Sequence, residues 1–566
     1  MKKTLIFFIC AALALPAAAQ SWDQALLFSE NIYGGTARST AMGNALTAVG
    51  GDPGSIGINP AGGAVAGYSQ FFISPGLSIT STVAQGQGTD GLDPIGFGDR
   101  VTTGYTRAKL PNMGFMMNME TGRRHGLKRV SIGFMTNSTN DFTSKMQAAG
   151  TLYGPNSYSG SLASLAQGYS PDVMGGNWYA EGHGFQPDWS AMAAYRSGMI
   201  NTIGSDYIGI TDIMVGGKPE AVKPLYQRYG NQTKGFKHDV VLNVSANFDD
   251  KFYIGANLGV TALEYSNAEY WEEMPNDPSD FPPIKYIDGN NVETQATFVS
   301  LLMKRNYRVS GTGLYMKVGA LWRPVAGLRL GAAVQTPTVM NMKARLAWSG
   351  ETDLRGKSYS PSTSPEDEWI YAFNLPFRFN VGAAYTFGSF AVLSVDYEMA
   401  DYSHARYRGR SDIGYTDGPW TDQNADIKDA LGVAHYLRAG LEFKPVPALA
   451  IRVGYNFLTG AQKNWLTWEY DEHGAATLYL DPLTKEERKQ QNRHLVSFGA
   501  GYAIGSFYAD VAVRMRFLPV TYYAPYYHYT YGDDYVEKFV DSSAQVPVVA
   551  STVTGIDTVL TLGWRF

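Results

Sequence analysis

The chain has 566 residues, 46 Lys+Arg against 51 Asp+Glu, a formal net charge of −5 and a single cysteine. This mild acidity leaves no electrostatic footprint for nucleic acid, and one cysteine excludes disulfides within the chain. Glycine (62 residues) and tyrosine (37 residues) are both abundant, against an average glycine usage of about 7%.

The N-terminus reads as an export signal. Lys2 and Lys3 form a basic start, Leu5 to Leu15 an apolar core, and Ala17-Ala18-Ala19 a small-residue cleavage site before Gln20. Residues 1–19 are therefore predicted to be a secretory signal peptide, too short and wrongly flanked for a spanning helix. Cys10 lies inside the apolar core rather than at a cleavage site. The expected mature chain thus offers no thiol for catalysis or metal binding. No later apolar run approaches the roughly 20 residues of a membrane helix. An exported, Gly- and Tyr-rich chain of this kind points to an outer-membrane β-barrel.

Residues 50–70, GGDPGSIGINPAGGAVAGYSQ, hold neither helix nor strand for long, because Gly costs backbone entropy and Pro removes a donor. Beyond them the period changes to two. From Asp239 to Phe248, Val240, Leu242, Val244, Ala246 and Phe248 share one face and Asn243, Ser245 and Asn247 the other. After the short turn DDK the alternation resumes from Phe252 to Thr261, and it recurs in GLRLGAAVQ, FAVLSVDYE, YLRAGLEF, LAIRVGYNF and FYADVAVRMRF. Six tight turns (ETGRRHGLK, DDK, RPVAG, FGS, KPVPA, IGS) join strands in pairs. Seven long segments, near 81–100, 141–236, 269–309, 349–371, 406–433, 461–491 and 518–553, separate the pairs.

That predicts fourteen antiparallel strands with short periplasmic turns, long outer loops and both chain ends on the periplasmic side. The stretch 292–309 either extends the sixth strand or belongs to its loop. The closing TVLTLGWRF puts Leu560, Leu562, Trp564 and Phe566 on one face, a lipid-facing strand ending in an aromatic girdle. A C-terminal aromatic of this kind resembles the signal read by the barrel-assembly machinery.

The segment YGGTARSTAMGNALTAVGGDPGSIGINPAGGA, centred on Asn59, Pro60 and Ala61, resembles the N-terminal hatch of the FadL/TodX (OMPP1) family. Members of that family are outer-membrane transporters of long-chain fatty acids and other hydrophobic compounds. LPNMGFMM (110–117), GTGLYMKVGALWRPVAGLRLGAAVQTPT (311–338) and LPFRFNVGAAYTF (375–387) add to the resemblance. It implies an all-β, fourteen-stranded transmembrane barrel over 67–566, plugged in its lumen by residues 20–66. The match is weakest in the second outer loop and in 269–309.

No metal spacing links the eight histidines (His125, His183, His238, His404, His435, His473, His494, His528), and no nucleophile elbow is present. No catalysis, cofactor or metal is expected. Asp396, Glu398, Asp510, Arg329, Arg438, Arg452, Arg514 and Arg516 fall on inward faces, either as a salt-bridge layer holding the plug or with one arginine meeting a substrate carboxylate. In the long outer loop at about 141–236, Pro187-Asp188 starts a predicted helix with Trp189, Met192, Tyr195, Met199 and Ile203 on one face. SGSLASLAQG is a second candidate helix. These faces either pack on the barrel rim or form a groove that captures ligand, and the resemblance favours the groove. The tyrosines of TYYAPYYHYTYGDDY suit an interfacial girdle or ligand stacking.

The expected function is uptake of hydrophobic small molecules such as long-chain fatty acids by a monomeric outer-membrane protein, with outer-membrane lipid as its surroundings. The alternative is a barrel of the same family that shuttles or anchors a protein in a secretion machine. The resemblance also implies a lateral opening at a kink in the third strand. Here that strand is RVSIGFMTNSTNDF, where Gly133, Asn137, Ser138 and Asn140 have poor strand propensity and are expected to leave a pairing defect facing Asn59-Pro60.

Overall fold

The computed structural model describes residues 21–566 apart from 89–92, 154–155, 180–185, 205, 216–217, 221–222, 282–283, 288–292, 356, 359–360, 412–413, 417–419, 471–475, 528–529, 532–536 and 539–546. The expected signal peptide with Cys10, the histidines His183, His473 and His528, and part of the tyrosine-rich loop lie outside the described residues.

Fourteen antiparallel strands form one closed sheet. They are β1 (Gln70–Gln87), β2 (Val101–Glu120), β3 (Leu127–Asp141, continued by Ser144–Leu152), β4 (Leu225–Phe248), β5 (Phe252–Pro275), β6 (Glu293–Trp322), β7 (Leu328–Gln335 and Thr338–Arg355) and β8 (Asp367–Leu375 and Arg378–Phe387). Then follow β9 (Ala391–Asp401 and Arg406–Ser411), β10 (Val433–Val446), β11 (Leu449–Leu458), β12 (Arg493–Ile504), β13 (Phe507–Phe517 and Thr521–Tyr523) and β14 (Val548–Arg565). β14 pairs with β13 and with β1, from Gln70↔Arg565 to Gln87↔Val548, so the sheet has no free end. Ser69 and Phe566 exchange both backbone bonds at 3.0 and 2.9 Å, which seats the terminal residue beside the first strand. β7 and β8 break side by side at Pro337 and Pro376, where the missing N–H cannot join a ladder.

Several strands run past the boundaries expected from apolar alternation. β5 reaches Pro275, β6 starts at Glu293 and so takes in 293–309, and β4 starts at Leu225 inside the expected second loop. The reason is physical: above the lipid the outer face of a strand is wet, so Lys304, Asn306 and Arg308 of β6 face out while Met303, Tyr307 and Val309 are buried inside, and the apolar-outward alternation that marks a membrane strand is lost. Within the lipid band the alternation persists. Leu242, Leu258, Leu314, Met316, Leu560, Leu562 and Trp564 are all outward and roughly half exposed. So long a belt of exposed apolar side chains suits hydrocarbon rather than water.

The hatch fills the lumen at the short-turn end. It runs through α1 (Trp22–Ser29), α2 (Ala37–Ala41), α3 (Pro53–Ile58) and a 3₁₀ turn, Pro60–Val65, and nearly all of it from Ala37 to Ala64 is buried. Short side chains on both sides make this possible. A Cβ on Gly255 or Gly319 would overlap Pro60 or the Asn59 side chain, and one on Gly454 would overlap the backbone of Gly43. The glycine content of the strands is thus part of how the plug fits.

The second outer loop carries α4 (Tyr158–Ala166), α5 (Pro171–Gly175) and α6 (Trp189–Arg196). Asp188 caps α6, accepting from the Ser190 N–H at 2.7 Å. The helix ends earlier than its apolar period suggests. Gly198 takes φ +75° and reverses the chain, so Met199 sits beyond the helix and Ile203 lies in a short strand, Ile200–Ile203. Two further outer helices are α7 (Thr421–Ala430) and α8 (Lys485–Gln490).

Candidate functional site: an apolar lumen and an unpaired strand edge

The plug is held by charges and amides, at the strand positions where sequence alternation places inward polar residues. Asn59 is fully buried, donates to the Thr47 and Ala320 carbonyls at 2.7 and 3.1 Å, and accepts from the Ala61 N–H at 3.1 Å. Pro60 presents its carbonyl to Asn243 at 3.0 Å, and Ala61 is fully buried beside it. Asp396 accepts from the Thr47 N–H at 2.7 Å, and Arg329 donates to the Val49 carbonyl at 2.6 Å.

Arg438 and Arg378 flank Glu398 at 2.6 and 2.7 Å, and Arg452 bridges Glu442 and Asp510 at 2.6 Å each. Arg514 and Arg516 share Asp557, and Arg514 also donates to the Tyr33 carbonyl of the hatch at 2.8 Å. Each of the five inward arginines singled out in the sequence therefore has a protein partner. Sequence reasoning missed Arg38, which meets Glu442 at 2.7 Å, and the buried Lys317 and Lys237. Lys317 donates to the Gly57 carbonyl at 2.8 Å, and Lys237 to those of Phe28 and Glu30 at 2.8 and 2.6 Å. A lysine at an inward register position next to a polar alternation was the available signal.

Above the plug the lumen changes character. Phe28 of α1, Phe142, Leu263, Tyr307, Val309, Met340, Met342, Tyr371 and Phe373 form one buried apolar cluster. Aromatic rings link it across the lumen: Phe28 to Phe142 at 5.9 Å, Phe142 to Tyr265 at 5.7 Å, and Tyr265 to Tyr307 at 6.3 Å between centroids. A second cluster roofs it, where loop helices meet the strand tops. Trp189, Met192 and Met199 are buried there with Met146, Ala148, Trp271, Phe298 and Tyr526, and Tyr195 packs against the same cluster half-buried. The apolar face of α6 is thus turned into a closed roof rather than an open groove. Beside it, burial pushes the Asp212 carboxyl up to about 6, partly offset by the bonds it accepts from the Gly209 N–H and the Ser157 hydroxyl.

The wall of the apolar lumen is open on one side. β2 pairs with β3 only from Asn112↔Asn137 to Glu120↔Arg129. Val101–Pro111 keeps its partner β1 but has none on the β3 side until an isolated bridge, Asp99↔Ala149. Gly133 lies within the continuous ladder and Asn137 at its last rung. Ser138 and Asn140 lie beyond it, at a bulge where the register with β4 also shifts. Pro111, lacking an N–H, stands where the ladder stops, and it was not singled out in the sequence.

The hatch supplies what β2 does not. Ile32 donates its N–H to the Thr139 carbonyl at 2.7 Å and Gly34 to that of Ser138 at 2.8 Å. The Asn140 amide reaches the Leu27 and Glu30 carbonyls at 3.5 and 3.3 Å. Leu27–Gly34 is thus the part of the hatch that meets Ser138–Asn140, while Ile56 and Gly57 face Gly133 and Asn137, and Asn59-Pro60 itself packs against Gly255 and Gly319. Across the upper gap a single side chain reaches over. Arg107 donates to Thr143 Oγ1 at 2.6 Å, to the Gly235 carbonyl at 2.8 Å and to Asp141 Oδ1 at 3.3 Å. The cavity behind the lower gap, bordered by Ile32, Gly34, Lys109 and Ser138, measures about 20 Å³, room for a water and not for an organic solute.

Among the described residues no group of three or more His, Asp or Glu is disposed to hold a metal. No protein-family profile matches the chain, and no curated protein does. Solved structures of low identity are similar. A FadL homologue from Pseudomonas aeruginosa is 13% identical at a TM-score of 0.47, over 95% of this chain and 99% of that one. The toluene transporter TodX of Pseudomonas putida is 13% identical at a TM-score of 0.44, over 95% and 100%. The toluene transporter TbuX of Ralstonia pickettii is 12% identical at a TM-score of 0.44, over 95% and 99%.

Proposed function

We propose that this protein takes hydrophobic small molecules, such as long-chain fatty acids, through the outer membrane and releases them sideways into lipid. The observation that carries the reading is a juxtaposition: an aromatic upper lumen ends below on a charge-locked plug and at its side on an unpaired strand edge beside Phe142. A water-filled pore has a polar lumen, which offers an apolar solute nothing. An apolar lumen lowers the cost of leaving the outer loops, and lateral release avoids re-exposing each CH₂ to water at about 0.8 kcal/mol. In this reading Trp189, Met192, Tyr195 and Met199 form the entry, whose roof must part to admit ligand. Ser138 and Asn140 border the exit, and Gly133 and Asn137 form its hinge. Asn59, Pro60 and Ala61 keep the vertical route shut.

The absence of any cysteine beyond Cys10 permits a clean test. Cysteines at Arg107 and Thr143, joined by a cleavable bis-maleimide about as long as the arginine they replace, would clamp the gap. Uptake of a long-chain fatty acid and of an alkylbenzene should stop on cross-linking and return on cleavage of the linker. Uptake that survives complete cross-linking would refute the lateral route.

A further inference from the structure

The outer face of β4 to β7 carries a second feature that the uptake reading does not use. In the register of the sheet, Lys234 stands opposite Ser266, Ser266 opposite Arg308, and Arg308 opposite Arg345. The adjacent outward row towards the lipid band holds Glu264, Ser310 and Lys343. With Arg107 at its edge, this set lines an open groove of about 470 Å³.

The charges in it are unevenly matched. Lys343 and Arg345 meet Glu368 at 2.7 and 2.9 Å. Lys234 and Arg308 have no carboxylate within ion-pair distance among the described residues. Like charges directly opposite on neighbouring strands repel; Arg345 is met by Glu368 and also by Glu366 at 3.5 Å, which leaves Arg308 and Lys234 as the cations open to an anion from outside the chain.

The height of the groove indicates which anion. Leu314 and Val339 are the last large apolar residues of the belt on β6 and β7, 58% and 49% exposed. Thr312 follows on β6, and the rows of Ser310 and Arg308 come next, about 13 to 20 Å along the strand from Leu314. On β8, Ile370 stands opposite Lys343 and is 53% exposed, so the apolar belt reaches the edge of the groove. A molecule with acyl chains on the belt would place its headgroup among the cations. Guanidinium groups suit phosphate, binding it bidentately.

We propose that Lys234, Arg308, Lys343 and Arg345 form a binding site for the phosphorylated headgroup of an outer-leaflet glycolipid whose acyl chains lie on the belt below. The site stands on the outer surface of the barrel and borders the proposed exit only at Arg107, which is not one of its four cations, so failure of the uptake reading leaves it untouched.

The test uses the full-length protein in detergent, titrated by native mass spectrometry with bis-phosphorylated lipid A, its dephosphorylated form and phosphatidylglycerol. Wild type should retain lipid A at least tenfold more strongly than either comparison lipid. K234Q combined with R308Q should erase most of that preference, whereas R308K, which keeps the charge and loses the bidentate fork, should keep part of it. Heat-modifiable migration on gels identifies variants that have assembled. Equal lipid A retention by wild type and the glutamine variant would overturn the assignment, as would phosphatidylglycerol binding as strongly as lipid A.

Discussion

Arg107→Ala should make the protein faster rather than slower. The guanidinium joins β2 to the β3 extension and to β4 where no backbone ladder does, through bonds to Thr143, Gly235 and Asp141. The Arg107 side chain is 30% exposed and that of Asp141 18%, so water competes for these bonds. In the interior, charge-assisted bonds would be worth about 1.5–3 kcal/mol each. With solvent screening the set amounts to about 1–2 kcal/mol. Removing it shifts the closed-to-open balance of the gap by roughly five- to thirtyfold, since 1.4 kcal/mol is a factor of ten. Initial uptake of a fluorescent fatty acid into liposomes, at equal amounts of assembled barrel, reads this directly. Spin labels on Thr103 and Gln147 read the gap width independently. Unchanged or slower uptake with a wider gap would show that opening here does not limit transport. An unchanged gap would show that Arg107 is no latch.

Two further perturbations address the plug and the roof. Gly319→Val would drive a side chain into Asn59, displacing three hydrogen bonds of about 1 kcal/mol each. Single-channel conductance and trypsin access to the hatch should rise, and an unaltered conductance would mean the plug repacks around valine. Asp212 predicts the pH response of the second loop. Its folded pKa of about 6 lies above the unfolded value of 3.8, so the folded loop holds the extra proton between those values. The Asp212 contribution to roof stability is therefore greatest below pH 4 and falls as pH rises to about 6; Glu273, which accepts from the Tyr158 and Ser159 N–H groups and is pushed by burial up to about 7, extends the fall to that pH. Hydrogen-exchange protection of Tyr158–Ala166 should follow that course and lose the Asp212 part of it in Asp212→Asn, keeping the part due to Glu273; protection that grows from pH 4 to 7 would contradict it.

The barrel was legible in the sequence because a lipid-facing wall leaves a period-two signature that few other environments impose. Val240 to Phe248 and the closing Leu560 to Phe566 carry it without ambiguity. The upper strands were not legible: Lys304 to Arg308 of β6 alternate between lumen and water, and both sides accept polar or aromatic residues. The inward arginines were found by register, but their partners were not. Pairing depends on which strands neighbour each other and on Arg38, Tyr33 and Val49 of the hatch, whose positions no periodicity encodes. The gap is an instructive mixture. Weak β-propensity points to Ser138 and Asn140, which have a β4 partner but none on β2, and equally to Gly133, which stays paired on both sides. A single missing N–H at Pro111 coincides with the end of pairing more closely than four residues of poor propensity do.

The two routes out of the lumen differ in what must break. Downward passage requires the hatch to leave its seat, losing Arg38–Glu442, Arg514 to Tyr33, Arg329 to Val49, Lys317 to Gly57 and the three bonds of Asn59. Most of these are buried and several are charged, and removing one partner of a buried charge costs about 3–5 kcal/mol. Sideways passage requires Ile32 and Gly34 to release Thr139 and Ser138 and Arg107 to swing aside, while Tyr33 between them keeps its carbonyl on Arg514. At about 1 kcal/mol for each neutral bond that is a small barrier. The destinations differ in the same direction. A chain of about ten CH₂ groups entering the periplasm would give up about 8 kcal/mol that it keeps by entering lipid. The hatch therefore has two different kinds of attachment, which the proposed route would use differently. Its body, from Ala37 to Val65, is fixed by buried charge and close contact with strand glycines. Its leading segment, Ile32–Gly34, meets the β3 edge through two neutral backbone bonds and is anchored at Tyr33 by Arg514, so the proposed lateral release needs the two backbone bonds to open around that anchor.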